Sequence, residues 1–302
     1  MKIAVFGGTG FIGKLLVSEI TKKNWTPVVL DQRRNREWEK ELFSCDAVIN
    51  LAGTPIFQKR WNQDFMAEIH SSRVQGTKKI VEALKKNQQN GAKTLALINA
   101  SAIGFYGSSR NQSFSESSGS GTEFLSMVCR DTEDEAIKAQ HVLGIRTVIT
   151  RFGIVLGVEG GALPKLVTPF NLFLGGPINF GKEWMSWVHV DDVVRFLIYA
   201  VENSKVEGIF NLTAPEPVTN KVFSKTLGKV LERPSWFITP SFGLRLLLGD
   251  SAQVVINGQK VLPQRTLETG FRFLYPELED ALKQILQAHY ETKFVPKDEM
   301  VN

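Results

Sequence analysis

Gly7-Gly8-Thr9-Gly10-Phe11-Ile12-Gly13 is the segment whose residue types and spacing most clearly suit a chemical task, that of holding an anion. It follows a short apolar run, Lys2–Phe6, and precedes apolar residues at helical spacing: Phe11, Ile12, Leu15, Leu16 and Ile20. In such a strand–turn–helix unit one glycine permits the tight turn and another lets the backbone approach a pyrophosphate. A third lets helix and strand pack closely. The helix that opens there presents unpaired N–H groups and a positive dipole end to the phosphates. The spacing therefore predicts a dinucleotide-binding turn built from Gly7, Thr9, Gly10, Phe11, Ile12 and Gly13. The next strand closes on Leu30-Asp31. An acid about 20 residues beyond the glycines takes the adenosine ribose hydroxyls of NAD. Arg33 and Arg34 follow at once and suit the 2′-phosphate of NADP. NADP is the expected cofactor, with NAD as the alternative.

Other residues stand where such a sheet meets its ligand. Ala47–Leu51 reads as a third strand, closed by the small-residue turn Ala52-Gly53. Lys59, Arg60 and Trp61 come after it, two cations and an aromatic that suit an anionic or planar substrate. Arg151 follows the fifth strand and is a candidate for the pocket floor. His189 ends a strand just before Asp191 and Asp192 and is a candidate base, although a lone histidine there is more often structural. The four histidines and two cysteines, Cys45 and Cys129, show no metal-ligand or disulfide spacing. No metal is expected, and both cysteines read as free thiols of a reducing compartment.

The elements that must position these residues alternate strand and helix. Strands are expected at 2–6, 26–30, 47–51, 94–99 and 146–150, with helices at 11–23, 37–43, 63–86 and 122–141. This β-α-β rhythm predicts a doubly wound α/β Rossmann sheet, parallel and covered by helices on both faces. Ligands bind such sheets at the carboxyl ends of the strands, where the strand order reverses. After residue 157 glycine and proline become frequent. Residues 1–157 read as the nucleotide-binding domain, with 186–214 returning to it. Residues 158–185 and 215–288 read as a smaller interleaved C-terminal lobe, and 289–302 as a tail. The 302 residues carry a net charge of +5. That surplus suits anionic ligands, and it is too small and scattered to argue for nucleic acid. No run of about 18 apolar residues argues for a membrane span. A small-molecule substrate and a cytoplasmic location are the expectations. A homodimer fits a protein of this size, and no segment identifies its interface.

GGTGFIG together with Asn50-Leu-Ala-Gly53 resembles the extended short-chain dehydrogenase/reductase superfamily. Further stretches resemble one branch of it, the sugar-epimerase-like NAD(P)-binding proteins of largely unassigned substrate. They include Asn50–Ile56, Lys59-Arg60-Trp61, Ser72-Arg73, Ser101–Gly107, Arg151–Gly157, Ser186–Asp192 and Gly258–Pro263. The resemblance implies a cofactor-lining turn at Leu51, Ala52 and Gly53, and a catalytic serine at Ser101. It also implies a Tyr-x-x-x-Lys pair on the helix after the fourth strand, the tyrosine exchanging a proton. The lysine lowers the tyrosine's pKa and holds the cofactor ribose. The chain departs here. Residues 124–134 contain neither tyrosine nor lysine, and Cys129 and Glu133 hold the matching i, i+4 positions. Tyr106, close after Ser101, is the remaining phenolic candidate. Two functions follow. One is an NAD(P)-dependent reductase or epimerase on a carbonyl- or hydroxyl-bearing substrate, a nucleotide sugar among the possibilities, with an atypical site. The other is a non-catalytic redox sensor that presents its C-terminal lobe to a partner.

Overall fold

The chain begins with β1 (Lys2–Phe6), whose last four residues are buried, and turns at glycine into α1 (Phe11–Lys22). A computed structural model describes residues 1–35 and 37–294. The last eight residues of the expected tail lie outside that range. The sheet continues through β2 (Thr26–Leu30), β3 (Ala47–Asn50), β4 (Ala96–Ala102), β5 (Arg146–Phe152) and β6 (Gly208–Leu212). The helices are α2 (Trp38–Leu42), α3 (Gln63–Gln89), α4 (Phe124–Leu143), α5 (Leu163–Asn171), α6 (Val190–Glu202) and α7 (Asn220–Leu231). They continue as α8 (Ser241–Leu248), α9 (Gln253–Ile256), α10 (Gln264–Glu268) and α11 (Leu278–Phe294).

All six strands are parallel, in the order β6-β5-β4-β3-β1-β2. Purely parallel sheets need apolar cover on both faces, and the strands read accordingly: Ile3–Phe6 and Ala47–Ile49 are fully or almost fully buried. One face packs Ile3, Val5 and Ile49 against Leu16 and Ile20 of α1 and the apolar side of α6. The other packs Ala4, Phe6 and Val48 against α2 and Ile80, Val81 and Leu84 of α3. The chain runs outward from β1 to β2, then returns to the other side of β1 to form β3. The carboxyl ends of β1 and β3 are thus the place where strand order reverses.

Local signals set the helix ends. Asn62 caps α3, its side-chain oxygen accepting from the Phe65 amide at 2.8 Å. Gly144 ends α4 in the left-handed conformation. A separate apolar cluster holds the lobe: Phe170 of α5, Trp187, Phe223 and Leu227 of α7, and Leu282 and Ile285 of α11. No helix of the described residues is long and apolar enough to cross a membrane.

Candidate cofactor and active site

The glycine turn adopts the tight, closely packed geometry its spacing predicts. Gly7 has φ +76°, a conformation that a side chain disfavours, and its carbonyl accepts from the Gly10 amide at 3.0 Å. A Cβ on Gly13 would lie 2.1 Å from the Gly7 oxygen, so helix and turn can approach this closely only with glycine there. The Lys14 amide donates to the Gly10 carbonyl as the first bond of α1. The amides of Phe11, Ile12 and Gly13 precede it and have no partner within the helix. Gly10 supplies no side-chain cap. The N-terminal end of α1 is therefore open to a ligand. Thr9 lies exposed at the same turn. Phe11 points its ring into a slot on the loop before α5. A Cβ on Gly157 would lie 2.5 Å from Cζ of that ring, and one on Gly160 2.6 Å from Cγ.

β3 brings the second wall. The Leu51 amide donates to the Phe6 carbonyl at 2.9 Å, so the Leu51-Ala52-Gly53 turn lies beside Gly7. Buried Asn50 fixes it, accepting from the Ala52 amide and donating to Asn99 Oδ1 at 2.7 Å and Thr77 Oγ1 at 3.2 Å. The end of β2 supplies the third wall. Asp31 Oδ1 accepts from the Arg33 amide at 2.8 Å, and the Arg34 Nε lies 3.8 Å from Oδ2. The Arg33 guanidinium crosses to Thr54, donating to Oγ1 at 3.3 Å, whereas Arg34 is 90% exposed. Asp31 is thus engaged by its own loop, and Arg33 is the cation turned toward the β3 turn.

The residues expected to act on substrate divide. Ser101, at the end of β4, is half-buried, and its hydroxyl donates to Glu133 Oε1 at 2.5 Å. Glu133 grips Arg151 through two hydrogen bonds, from Nε at 2.9 Å and Nη2 at 2.6 Å. Arg151 is 1% exposed and donates from Nη1 to the Tyr106 hydroxyl at 2.8 Å. That hydroxyl donates in turn to Asn211 Oδ1 at 2.7 Å. The Arg151 guanidinium also lies 3.4 Å over the Phe105 ring. The chain of bonds runs from Ser101 through a buried ion pair to β6. Tyr106 and Arg151 belong to this network: their polar atoms are used within the protein. Arg151, expected on the pocket floor, instead bonds a carboxylate and a phenol in the interior. Burial pushes the Tyr106 hydroxyl above the ordinary phenol range, against the opposing pull of Arg151 and Asn211.

His189 is 1% exposed and caps α6, its Nδ1 accepting from the Asp191 amide at 3.0 Å. Its Nε2 lies 2.9 Å from Gln284 Oε1, and its ring leans on Tyr275. Burial lowers its pKa, against the pull of Asp191, Gln284 and Asp192. It does not approach Ser101. Trp61 is buried, donates to the Ile56 carbonyl at 2.8 Å and packs edge-on against Phe124. It is a core residue of the cluster under α3 and α4 and not an open platform. Lys59 is exposed, 4.0 Å from Glu68. Arg60 straps the loop to the lobe, donating to the Leu246 carbonyl at 2.8 Å, and Phe57 meets Lys165 on the other side. The loop after β3 is thus tied to both α8 and α5 of the lobe. Cys129, in the tyrosine's place on α4, is buried, and burial pushes its thiol up to about 11. No group of His, Cys, Asp or Glu that could hold a metal occurs among the described residues.

A six-stranded parallel sheet with this cradle at its switch point matches one family along most of its length. Residues 3–213 fit the model of the NAD dependent epimerase/dehydratase family, and residues 239–285 fit a domain of unknown function, DUF1731. The chain belongs to the NAD dependent epimerase/dehydratase family. It is 40% identical to the chloroplastic epimerase family protein SDR39U1 homolog of Arabidopsis thaliana, over 95% of this chain and 87% of that one. It is 39% identical to the epimerase family protein YfhF of Bacillus subtilis, over 95% and 98%. The crystal structure of human epimerase family protein SDR39U1 with NADPH superposes with a TM-score of 0.86 at 32% identity, covering 95% of this chain and 99% of that one. UDP-glucuronic acid 4-epimerase from Bacillus cereus shares the fold, with a TM-score of 0.77 at 17% identity over 97% and 100%.

The sequence reading gave no role to Asn50, Thr54 or Arg73, all of which shape the β3 turn. All three lie within the stretches Asn50–Ile56 and Ser72-Arg73 that carry the family resemblance. A buried asparagine ending a strand is a signal for such a clamp.

Proposed function

We propose that this protein binds NADP(H) and passes hydride between the nicotinamide and a small carbonyl- or hydroxyl-bearing substrate, nucleotide sugars included. The observation that carries the reading is the assembled cradle. Three free amides open α1, the β3 turn lies beside Gly7, and Arg33 reaches across to Thr54. The engagement of Asp31 by its own loop supports a 2′-phosphate partner for Arg33, and hence NADP with NAD as the alternative. NADPH in the human relative supports the same choice. Ser101 donates its proton to Glu133, which leaves its lone pairs for a substrate hydroxyl. Ser101 then orients the substrate oxygen, and the substrate proton exchanges with water, because α4 carries no tyrosine to relay it. Exposed Lys59, on the loop after β3, favours an anionic substrate. Both cysteines are unpaired and buried, which fits a reducing compartment such as the cytoplasm.

The test titrates the pure protein with NADPH and NADH by nicotinamide fluorescence. It then follows absorbance with NADPH and a carbonyl panel, and product with nucleotide sugars. Tighter NADPH binding with turnover of a panel member supports the reading. Cofactor binding without turnover favours the second one, a non-catalytic redox sensor, which draws support from the closed Glu133–Arg151–Tyr106 network. Sensing requires unequal affinity for oxidised and reduced cofactor, because equal affinities shift no equilibrium.

A further inference from the structure

Arg73 on α3 is a half-buried cation without a counter-ion among the described residues. Its Nη1 donates to the Thr54 carbonyl at 3.0 Å and the Ile69 carbonyl at 3.3 Å. Its Nε and Nη2 make no hydrogen bond among the described residues, and no carboxylate of those residues stands within ion-pair distance of it. The titratable side chain within its electrostatic reach is Cys129 of α4, and burial lowers the guanidinium's pKa. Buried charges are ordinarily paired, because an unpaired one forfeits its hydration without return. The guanidinium lies directly under the β3 turn: a Cβ on Gly53 would meet its Cζ at 2.9 Å and its Nη2 at 3.1 Å. Gly53 and Ala52 are exposed above it, beside the Gly7 turn. A cation with no carboxylate partner among the described residues thus sits between the β3 turn and Cys129, which holds the tyrosine's place on α4.

We infer that Arg73 holds the nicotinamide mononucleotide half of the cofactor, supplying from α3 the positive charge that α4 does not provide. The inference rests on the proposed binding of NADP(H). Carbonyl bonds through Nη1 aim the fork, and the absence of a side chain at Gly53 would leave its other edge open to a phosphate or ribose bound over the turn. A guanidinium suits this duty because its planar donors match a phosphate edge.

The test compares two probes on wild type, Arg73→Met and Arg73→Lys: NADPH, and adenosine 2′,5′-bisphosphate, which lacks the nicotinamide half. Arg73→Met is expected to weaken NADPH about ten- to a hundred-fold, the range for loss of charge-assisted hydrogen bonds. It should leave the bisphosphate affinity within about two-fold, inside ordinary additivity error. Arg73→Lys keeps the charge and hence the fold, and should lose several-fold on NADPH alone. Equal weakening of both probes, or of neither, overturns the inference. If Arg73→Met does not fold, the ratio of the two affinities in Arg73→Lys decides: an unchanged ratio overturns it. If wild type binds neither probe, the cofactor reading fails, a result distinct from an unchanged ratio in the variants.

Discussion

Glu133→Leu removes the carboxylate that faces Arg151 and leaves a guanidinium with 1% exposure beside an apolar side chain. Two hydrogen bonds, at 2.9 and 2.6 Å, are lost from the arginine, and the Ser101 hydroxyl loses its acceptor. The Arg151 bond to Tyr106 remains and does not neutralise the charge. Breaking a buried pair from one side costs about 3–5 kcal/mol, because the remaining ion is desolvated without compensation. Against a total stability of about 5–15 kcal/mol, that is roughly a fifth of the whole or more. The expected fall in Tm is on the order of 10 °C. The double variant Glu133→Leu/Arg151→Met removes both charges, and replacing a buried pair by apolar residues is often neutral or stabilising. It should therefore recover most of the loss, and a double-mutant cycle from urea unfolding should give a coupling of about 2–3 kcal/mol. NADPH affinity measured alongside should stay within a few-fold of wild type, since the network does not touch the glycine turn. A Glu133→Leu variant within about 1 kcal/mol of wild type, or a double variant no better than the sum of its singles, would refute the assignment of this pair to structure.

Arg33→Ala should cost about ten-fold in NADPH affinity and little in NADH affinity, while exposed Arg34→Ala changes either by no more than two- to three-fold; fluorescence titration of both variants checks this. Gly13→Ala places a methyl 2.1 Å from the Gly7 oxygen, so the turn must open, and both cofactors should lose binding together. His189→Ala removes the cap of α6 and should cost about 1–2 kcal/mol in unfolding free energy while leaving cofactor affinity unchanged. Because burial lowers the His189 pKa, the unfolded chain takes up the proton first, so this residue's stabilising effect is lost as pH falls below about 6.5 and the variant should show a shallower acid slope. Cys129, pushed up to about 11, keeps its proton when folded while an unfolded thiol ionises near 8.5. Its contribution is complete below about pH 8.5 and is lost as pH rises toward 11, so Cys129→Ala should flatten that decline, and iodoacetamide at pH 8 should label Cys129 only after unfolding.

The cofactor half of the molecule was legible in the sequence because its requirements are local. A tight turn, a close approach and an open helix end each demand particular residues within Gly7–Gly13, and periodicity alone separates β1 from α1. The substrate half was not, because its partners are brought together across the sheet. Nothing in the spacing of Ser101, Tyr106, Glu133 and Arg151 says that they form one chain of bonds. A buried arginine is recognisable only once burial is known, so Arg151 read as a pocket residue and Trp61 as a platform. His189 shows the same limit: its position before Asp191 and Asp192 suits a base and a helix cap alike, and the depth of the site decides between them.

The Phe11 ring lies in the slot bordered by Gly157 and Gly160, so the first residue of the phosphate-binding helix is also a bolt in the entrance to the C-terminal lobe. The two parts are mechanically geared. A dinucleotide held by the free amides of α1 would stiffen the turn, and through the Phe11 ring it would stiffen the loop leading into α5 as well. Amide hydrogen exchange at residues 157–163 should therefore slow on NADPH binding, although no atom of the loop need touch the cofactor. Shortening Phe11 to alanine would unbolt the entrance, and the two regions would then exchange as independent units.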